Sequence, residues 1–356
     1  MKNIAKLILL SFFIFILFIT SGCELSDLYS DVFMNNLNSE YDGLTVSFID
    51  IGQGDATLIE CGGEAMLIDA GIYSEKEALV SYISNRGIKD IKYCVATHPH
   101  SDHIGAMDEV IYKFDVDTLV YPLCDDSSKN MNYVYDACDE KGVSYFNPEP
   151  MDTLTLGDAT FTVLSPEPYA DYGNLNNNSI VLKMEYGNTS WLFMGDAEKE
   201  VEKELLKKDI DLNADVLKCG HHGSSTSSDV TFINAVNPSV AVISCGKNND
   251  YGHPHRETLS TLNKRDIEIY RTDKLSSIIA NSDGETITFM TANEILGTST
   301  AKSNVHYAYT GNVNSKVFHQ NTCDAVTDMK ENNKINFKTK EDAVSKGYKP
   351  CKSCNP

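Results

Sequence analysis

The sequence predicts a mixed α and β protein with a small, chemically different module at its C-terminal end. Three observations carry this. From Leu44 to Met290, apolar runs of strand length alternate with stretches of helical length, punctuated by glycine turns. The run Tyr93-Cys94-Val95-Ala96 ends abruptly in Thr97-His98-Pro99-His100-Ser101-Asp102-His103-Ile104-Gly105, so a buried strand aims several polar side chains at one point beyond its end. A short linker of small and polar residues, Thr298 to Asn304, then leads into a lysine-rich tail with a cysteine grouping of its own.

Taken in order, residues 1–23 read as a targeting segment. Lys2 and Lys6 make a basic start, and Leu7 to Ile19 is an apolar run shorter than the roughly 20 residues of a comfortable span. Thr20-Ser21-Gly22-Cys23 resembles a bacterial lipobox, with Cys23 as the lipidated first residue of the mature chain, although Thr20 stands where an aliphatic residue is usual. The alternative is an uncleaved signal anchor. Either way the rest is expected outside the cytoplasm, tethered to the membrane. Residues 24–42 are polar and rich in Asn and Ser, as in a flexible stalk.

Leu44 to Ile51, Ala56 to Cys61 and Ala65 to Asp69 read as three strands. Ser74-x-x-Glu77 has the form of a capping box opening a helix through Asn85. Ile91 to Ala96 is the next strand, His103 to Phe114 a helix, and Val116 to Tyr121 and Val143 to Phe146 are strands around a polar segment, 124–142. Thr153 to Leu164, Ser179 to Tyr186 and Thr189 to Met194 follow as strands, the last two joined by a Gly187-Asn188 hairpin turn. Ala197 to Lys208, Thr226 to Val236 and Glu257 to Lys264 read as helices; Asp215 to Cys219, Ser239 to Ser244, Glu268 to Arg271 and Thr286 to Met290 read as strands. Periodicity by itself supports no more than two sheets with helices outside them.

The formal net charge is −21, distributed as +3 over residues 306–356, +2 over residues 1–23 and hence −26 between them. So acidic a surface opposes loose adhesion to nucleic acid or anionic lipid, and a polyanionic substrate would have to be held by local features. Cys61, Cys94, Cys219 and Cys245 lie in apolar runs as small core residues, while Cys124 and Cys138 flank a polar stretch where an exported protein can form a disulfide.

Three imidazoles and a carboxylate within six residues form a donor set suited to borderline-soft divalent ions. The pattern His-x-His-x-Asp-His resembles the signature of the metallo-β-lactamase-fold hydrolases. With Phe48 to Ala56, Gly195-Asp196-Ala197-Glu198, His221-His222-Gly223-Ser224 and Tyr251-Gly252-His253-Pro254-His255, it resembles the hydrolase domain of the competence protein ComEC and its free-standing relatives, over residues 43–295. The resemblance implies a four-layer αββα sandwich and two divalent metal ions, zinc or manganese. It implies that His98 and His100 bind one ion, Asp102 and His103 the other, and that Asp196 bridges them. One of His221 and His222 completes the second ion; His222 is favoured, leaving His221 to face substrate. Asp69 would steady the histidine loop, and Asp50 and Asp55 are structural or supporting.

One departure matters. Many members of the wider fold carry another histidine where this chain has Asn174-Leu175-Asn176-Asn177-Asn178-Ser179, so the His98–His100 side has fewer ligands. The implied chemistry is hydrolysis by a metal-activated hydroxide, oriented by Asp102, with His221 or His253 as proton donor or phosphate partner. Ser224 and Ser225, with Thr226, precede the expected helix and are candidates to bind an anionic group, as is Asn178; the alternative for the serines is ordinary helix capping.

The tail, residues 306–356, pairs His319-x3-Cys323 with Cys351-x2-Cys354, the form of a tetrahedral zinc site. Gly347 to Pro356 resembles the end of the metal-binding domain of the Ada DNA-repair protein, in which the first ligand is a methyl-accepting cysteine. Here His319 stands in that place, which implies one structural zinc without methyl transfer. About 50 residues with so little apolar content are not expected to fold without the ion. His306 reads as a surface residue.

The function expected first is an extracytoplasmic metal-dependent phosphodiesterase or nuclease acting on DNA. A hydrolase of a small phosphodiester or phosphorylcholine-type ester comes second, favoured by the acidic charge. A non-catalytic surface binding protein comes third, and β-lactam hydrolysis last, since the missing histidine belongs to that activity's usual site. No protein partner is expected.

Overall fold

A computed structural model describes residues 43–124, 128–168, 170, 172–291, 309–320, 323–327, 329–330, 333–337, 339–354 and 356. The targeting segment, Cys23, the stalk, the linker and His306 lie outside the described residues.

Strands β1 (Leu44–Phe48), β2 (Thr57–Cys61) and β3 (Glu64–Ile68) form an antiparallel meander, after which β4 (Asp90–Val95), β5 (Asp115–Val120) and β6 (Ser144–Phe146) continue the sheet in parallel. A second sheet repeats the plan. β7 (Thr153–Leu156), β8 (Ala159–Ser165), β9 (Val181–Tyr186) and β10 (Thr189–Phe193) are antiparallel, and β11 (Val216–Lys218), β12 (Val240–Ile243) and β13 (Glu268–Arg271) follow in parallel. β14 (Ile278–Ser282) and β15 (Ile287–Thr291) return to the first sheet beside β1.

The inner faces meet in one apolar layer containing Phe48, Ile59, Phe161, Trp191 and Phe193. Each large side chain buried there is worth about 1.5–3 kcal/mol relative to exposure. On the outer face of the first sheet pack helices Lys76–Asn85, Met107–Lys113 and Lys129–Lys141 through Leu79, Ile83, Val110, Ile111, Met131 and Val134. On the second pack Lys199–Leu205, Val230–Val236 and Arg256–Asn263 through Val201, Leu205, Phe232, Ile233 and Leu262. This is the αββα sandwich. Each sheet has a parallel half, and the crevice beyond the C-terminal ends of those parallel strands is where loops can carry a site.

Several local expectations are corrected. The helix expected from the capping box starts at Lys76 behind a 3₁₀ turn, Tyr73–Glu75; the Glu75 amide is already closed onto the Ile72 carbonyl, and no side chain caps the helix. The helix expected over His103–Phe114 is two, Ser101–Ile104 and Met107–Lys113. The break is at Gly105, where a Cβ would lie 2.3–2.8 Å from backbone atoms of Ser101, Tyr73 and Gly71. The polar segment 124–142 contains the helix Lys129–Lys141, capped by the Ser128 side chain, which accepts from the Met131 amide, and ended by Gly142 in the left-handed region. Its polar outer face hid the apolar stripe Met131, Val134, Ala137 and Cys138.

The single strand expected over Thr153–Leu164 is the hairpin β7–β8, turning at Gly157. The helix expected from Thr226 begins only at Val230, where Asp229 caps it by accepting from the Thr231 amide, so Ser224 and Ser225 are not at a helix start. Strand β14 had no expected counterpart, because its polar Asn281 and Ser282 interrupt the apolar run while pairing with Thr45 and Leu44 of β1. Cys124 and Cys138 are both free thiols.

In the C-terminal module, β16 (Tyr309–Asn312), β17 (Val317–Gln320), β18 (Lys334–Phe337) and β19 (Lys349–Pro350) form a sheet in the order β18-β16-β17-β19 over Phe318, Phe337, Ala343 and Tyr348. Among the described residues no helix is long and apolar enough to cross a membrane.

Candidate metal centres

The loops that carry the expected ligands leave the ends of strands with a parallel neighbour. Asp69 follows β3, the histidine cluster follows β4, Asp196 follows β10, the His221–His222 pair follows β11, and the loop to His253 follows β12. Close backbone approach makes the assembly possible: a Cβ on Gly54 would stand 2.6 Å from the Asp102 carbonyl oxygen. Gly195 holds the left-handed conformation (φ +52°) that turns the chain from β10 into Asp196.

The imidazoles are braced from behind. Asp69 accepts from the Thr97 amide (2.9 Å) and hydroxyl (2.8 Å) and from Nδ1 of His103 (2.7 Å). His222 Nδ1 donates to the Ser244 carbonyl (3.1 Å), and His98 Nδ1 meets Ser179 Oγ (3.3 Å), which also accepts from the Asp196 amide (3.0 Å). With Nδ1 occupied, each ring presents Nε2 inwards, as outer partners of metal ligands do. His103 Nε2 lies 3.2 Å from Asp196 Oδ1, and His222 Nε2 lies 3.6 Å from the same oxygen and 3.4 Å from Asp102 Oδ2. His98 Nε2 is 3.9 Å from Asp196 Oδ2 and 3.0 Å from His100 Nδ1.

These atoms are near without being satisfied. His103 Nε2, His222 Nε2 and Asp196 Oδ1 are buried and have no well-formed hydrogen bond. Such orphans cost about 1–3 kcal/mol each unless something else binds them. A divalent cation is what this donor set fits. Ligand atoms of His98, His103 and Asp196 lie within 4.8 Å of one another, as do those of Asp102, His103 and His222. Burial alone would lower His103, yet the carboxylates of Asp196 and Asp69 hold it well above the usual imidazole range. Burial would raise Asp196, but His103 and His222 hold it well below the carboxylate range. The field that retains a proton on His103 is one that favours a cation.

The expected residues divide clearly. His98, Asp102, His103, Asp196 and His222 converge, with His222, 1% exposed, inside the cluster and His221, 23% exposed, turned to the cleft. His100 reaches His98 but shares no three-ligand group, so the His98 side is the sparser one. The adjacent histidines part company because both adopt left-handed backbone (φ 49° and 52°). His221 Nδ1 pairs with Glu198 at 3.1 Å, and its Nε2 stands 3.7 Å from Asp196. Burial first, then the imidazoles of His222, His221 and His255, push His253 down to about 4.

A cleft of about 310 Å³ opens over the cluster, and Asn176, His221, Tyr251 and His253 are among its walls. Asn178, Ser224 and Ser225 are not. Asn176 takes the place expected of Asn178, the Ser224 hydroxyl accepts from Thr226 (3.0 Å), and the Ser225 amide donates to His255 (2.9 Å).

One pair escaped the sequence reading. Lys218 of β11, 3% exposed, meets the Asp55 carboxylate at 2.5 Å, and Asp55 itself lies among the ligand atoms of Asp196 and His222. The signal was a lysine in the otherwise apolar run Val216-Leu217-Lys218-Cys219.

In the module, ligand atoms of His319, Cys323, Cys351 and Cys354 all lie within 4.8 Å of one another. His319 Nδ1 is buried without a partner. The amides of Cys354 and Ser353 pull the Cys351 thiol down, towards the thiolate that binds metal, while burial pushes its neighbour Cys354 up. The four fit one zinc ion.

Comparison with known proteins agrees with this chemistry. The family model described as the metallo-beta-lactamase superfamily matches residues 49–247, and that of the metal binding domain of Ada matches residues 299–356. ComE operon protein 3 of Bacillus subtilis is 37% identical over 65% of this chain and 32% of its own length. Recombination protein 2 of Haemophilus influenzae is 30% identical over 62% of this chain and 26% of its own. The chain therefore spans about a third or less of these relatives. The solved metallo-beta-lactamase fold protein YhfI from Bacillus subtilis aligns with a TM-score of 0.46 and 13% identity, over 65% of this chain and 96% of that one. The chain belongs to the metallo-β-lactamase superfamily, resembles its ComEC-like branch and carries an Ada-type zinc-binding module.

Proposed function

We propose that the chain is an exported, membrane-tethered phosphodiesterase that cleaves DNA, with two divalent ions, zinc or manganese, held by His98, His100, Asp102, His103, Asp196 and His222. The observation that carries the reading is the set of buried, unsatisfied His and Asp atoms converging beneath an open cleft. The name of one relative, Recombination protein 2, supplies the link to DNA.

Bound ions would supply hydroxide at neutral pH and stabilise charge developing on a phosphoryl oxygen. The chain's own groups do the rest. Asp102, held well below the carboxylate range by His222 and His103 against the effect of burial, is an acceptor at every physiological pH and can orient the attacking oxygen. His221, braced by Glu198, is the group placed to hand a proton to the leaving oxygen. His253, pushed down to about 4, is neutral near pH 7 and offers a hydrogen bond to the substrate instead of a charge.

The test uses purified protein from residue 24 onward with linear single- and double-stranded DNA and Mn²⁺ or Zn²⁺. Cleavage is expected, falling at least about a hundredfold in Asp102→Ala and His222→Ala. DNA left intact under every metal would sink the nuclease reading, and turnover surviving both substitutions would refute the site. The net charge of −21 favours one second reading, a small phosphodiester or ester, supported if such a substrate is turned over only by the unmodified protein.

A further inference from the structure

One wall of the cleft takes no part in the steps above. Tyr251 stands at the rim with 66% of its surface exposed. A lone exposed ring is ordinary, but this one is held in place. The Asn249 side chain donates to the carbonyls of Gly246 (2.9 Å) and His253 (2.7 Å) and accepts from the His253 amide (2.9 Å), closing the loop on itself. Gln53, from the other half of the sandwich, accepts from the Gly246 amide (2.9 Å), and His255 Nε2 meets the Tyr251 carbonyl at 3.1 Å. The Tyr251 ring lies 5.7 Å from His253 at 22°, and His253 lies 6.0 Å from His222 at 25°. Three rings, each tilted by 22–25° from the next, thus step from the metal-facing His222 to the rim, and the last is largely open.

We propose that Tyr251 is a stacking platform for a nucleobase, and that the substrate is single-stranded nucleic acid with a nucleotide flanking the scissile phosphate laid on that ring. The inference rests on the DNA-cleaving reading and narrows it. A base inside a duplex is covered on both faces by its neighbours, whereas an unpaired base can lie flat on an aromatic ring, whatever its identity. The cleft walls include no lysine or arginine among the described residues. The cleft walls themselves therefore offer no cationic side chain to a phosphate backbone. Stacking supplies a grip that an acidic protein can offer.

The full chain loaded with Mn²⁺ is titrated with two fluorescent single-stranded probes of equal length, an ordinary mixed-sequence DNA and the same backbone without bases. The unmodified protein is expected to bind the ordinary strand about tenfold more tightly. Tyr251→Leu removes that preference and leaves affinity for the abasic strand unchanged, while Tyr251→Phe retains it. Equal binding of both probes, binding of neither, or a preference that survives in Tyr251→Leu overturns the proposal. Cleavage is read separately. Base-dependent binding with no cleavage under any metal sinks the nuclease reading and leaves the platform standing, whereas cleavage with no base preference sinks the platform alone.

Discussion

In the sandwich, the metal-facing side chains arrive from loops of two different sheets, each held by a partner distant in sequence. Asp69 braces His103 across 34 positions, and Ser244 braces His222 across 22. Three extended apolar clusters lie under the sheets that carry those loops. In the C-terminal module, the four ligand residues close on one point over an apolar cluster of Phe318, Phe337, Ala343 and Tyr348. From the size of their apolar clusters, the sandwich is expected to build its site on a fold already stable, and the module to depend on its site for a fold. That difference matches an open, catalytic donor set in the first case and a closed, structural one in the second.

The strongest way to break this contrast is to remove metal. Chelation is expected to unfold the module, with a loss on the order of 10 kcal/mol of metal-linked folding energy, while the sandwich stays folded and inactive. Hydrogen exchange reads both at once: β16 and β17 should lose protection while β1 and β10 keep it. A module that stays protected, or a sandwich that melts with it, would end the distinction.

A smaller effect tests whether the sandwich site is held by the fold. Lys218→Met leaves the Asp55 charge buried without its partner, and a loss of about 3–5 kcal/mol in urea unfolding is expected. The double substitution Lys218→Met with Asp55→Leu should recover much of it, since both charges are then gone. A single variant as stable as the unmodified protein would show that the pair is solvated and only incidental.

The smallest effect concerns Glu202, which is 2% exposed and accepts from the amides of Ser228 and Asp229 beside the His221–His222 loop. Burial outweighs those amides and pushes its carboxyl up from 4.5 to about 7. Because the folded value lies above the unfolded one, this contribution is fully present below about pH 4.5 and lost as pH rises through about 7, a change of about 3 kcal/mol. Glu202→Gln has no such titration, so the stability of the unmodified protein relative to this variant should fall by about 3 kcal/mol from pH 5 to pH 8. A difference independent of pH would mean that Glu202 is charged throughout.

Much of the architecture was legible in the residues. Strands such as β9 and β10 showed their apolar runs and their Gly187-Asn188 turn, and the parallel strands ended where the polar motifs began. The helix Lys129–Lys141 was missed because its exposed face is dense with polar side chains, which outweighed four buried positions at helical spacing. The helix start expected just after Ser224 and Ser225 lies instead at Val230, because Asp229, five residues after Ser224, is the better cap.

What the sequence determined by itself was donor chemistry. Histidine, aspartate and cysteine at metal-binding spacings are local facts, and so are the apolar runs that deliver them. Tertiary structure decided between the adjacent histidines, where the family resemblance only favoured His222, by turning His222 inwards and His221 to the cleft, and it alone made the junction of Lys218 with Asp55 across 163 positions. The physical reason is the same in both cases. A ring's orientation and a buried charge's partner are set by hydrogen bonds and burial from remote segments, which no run of neighbouring residues encodes.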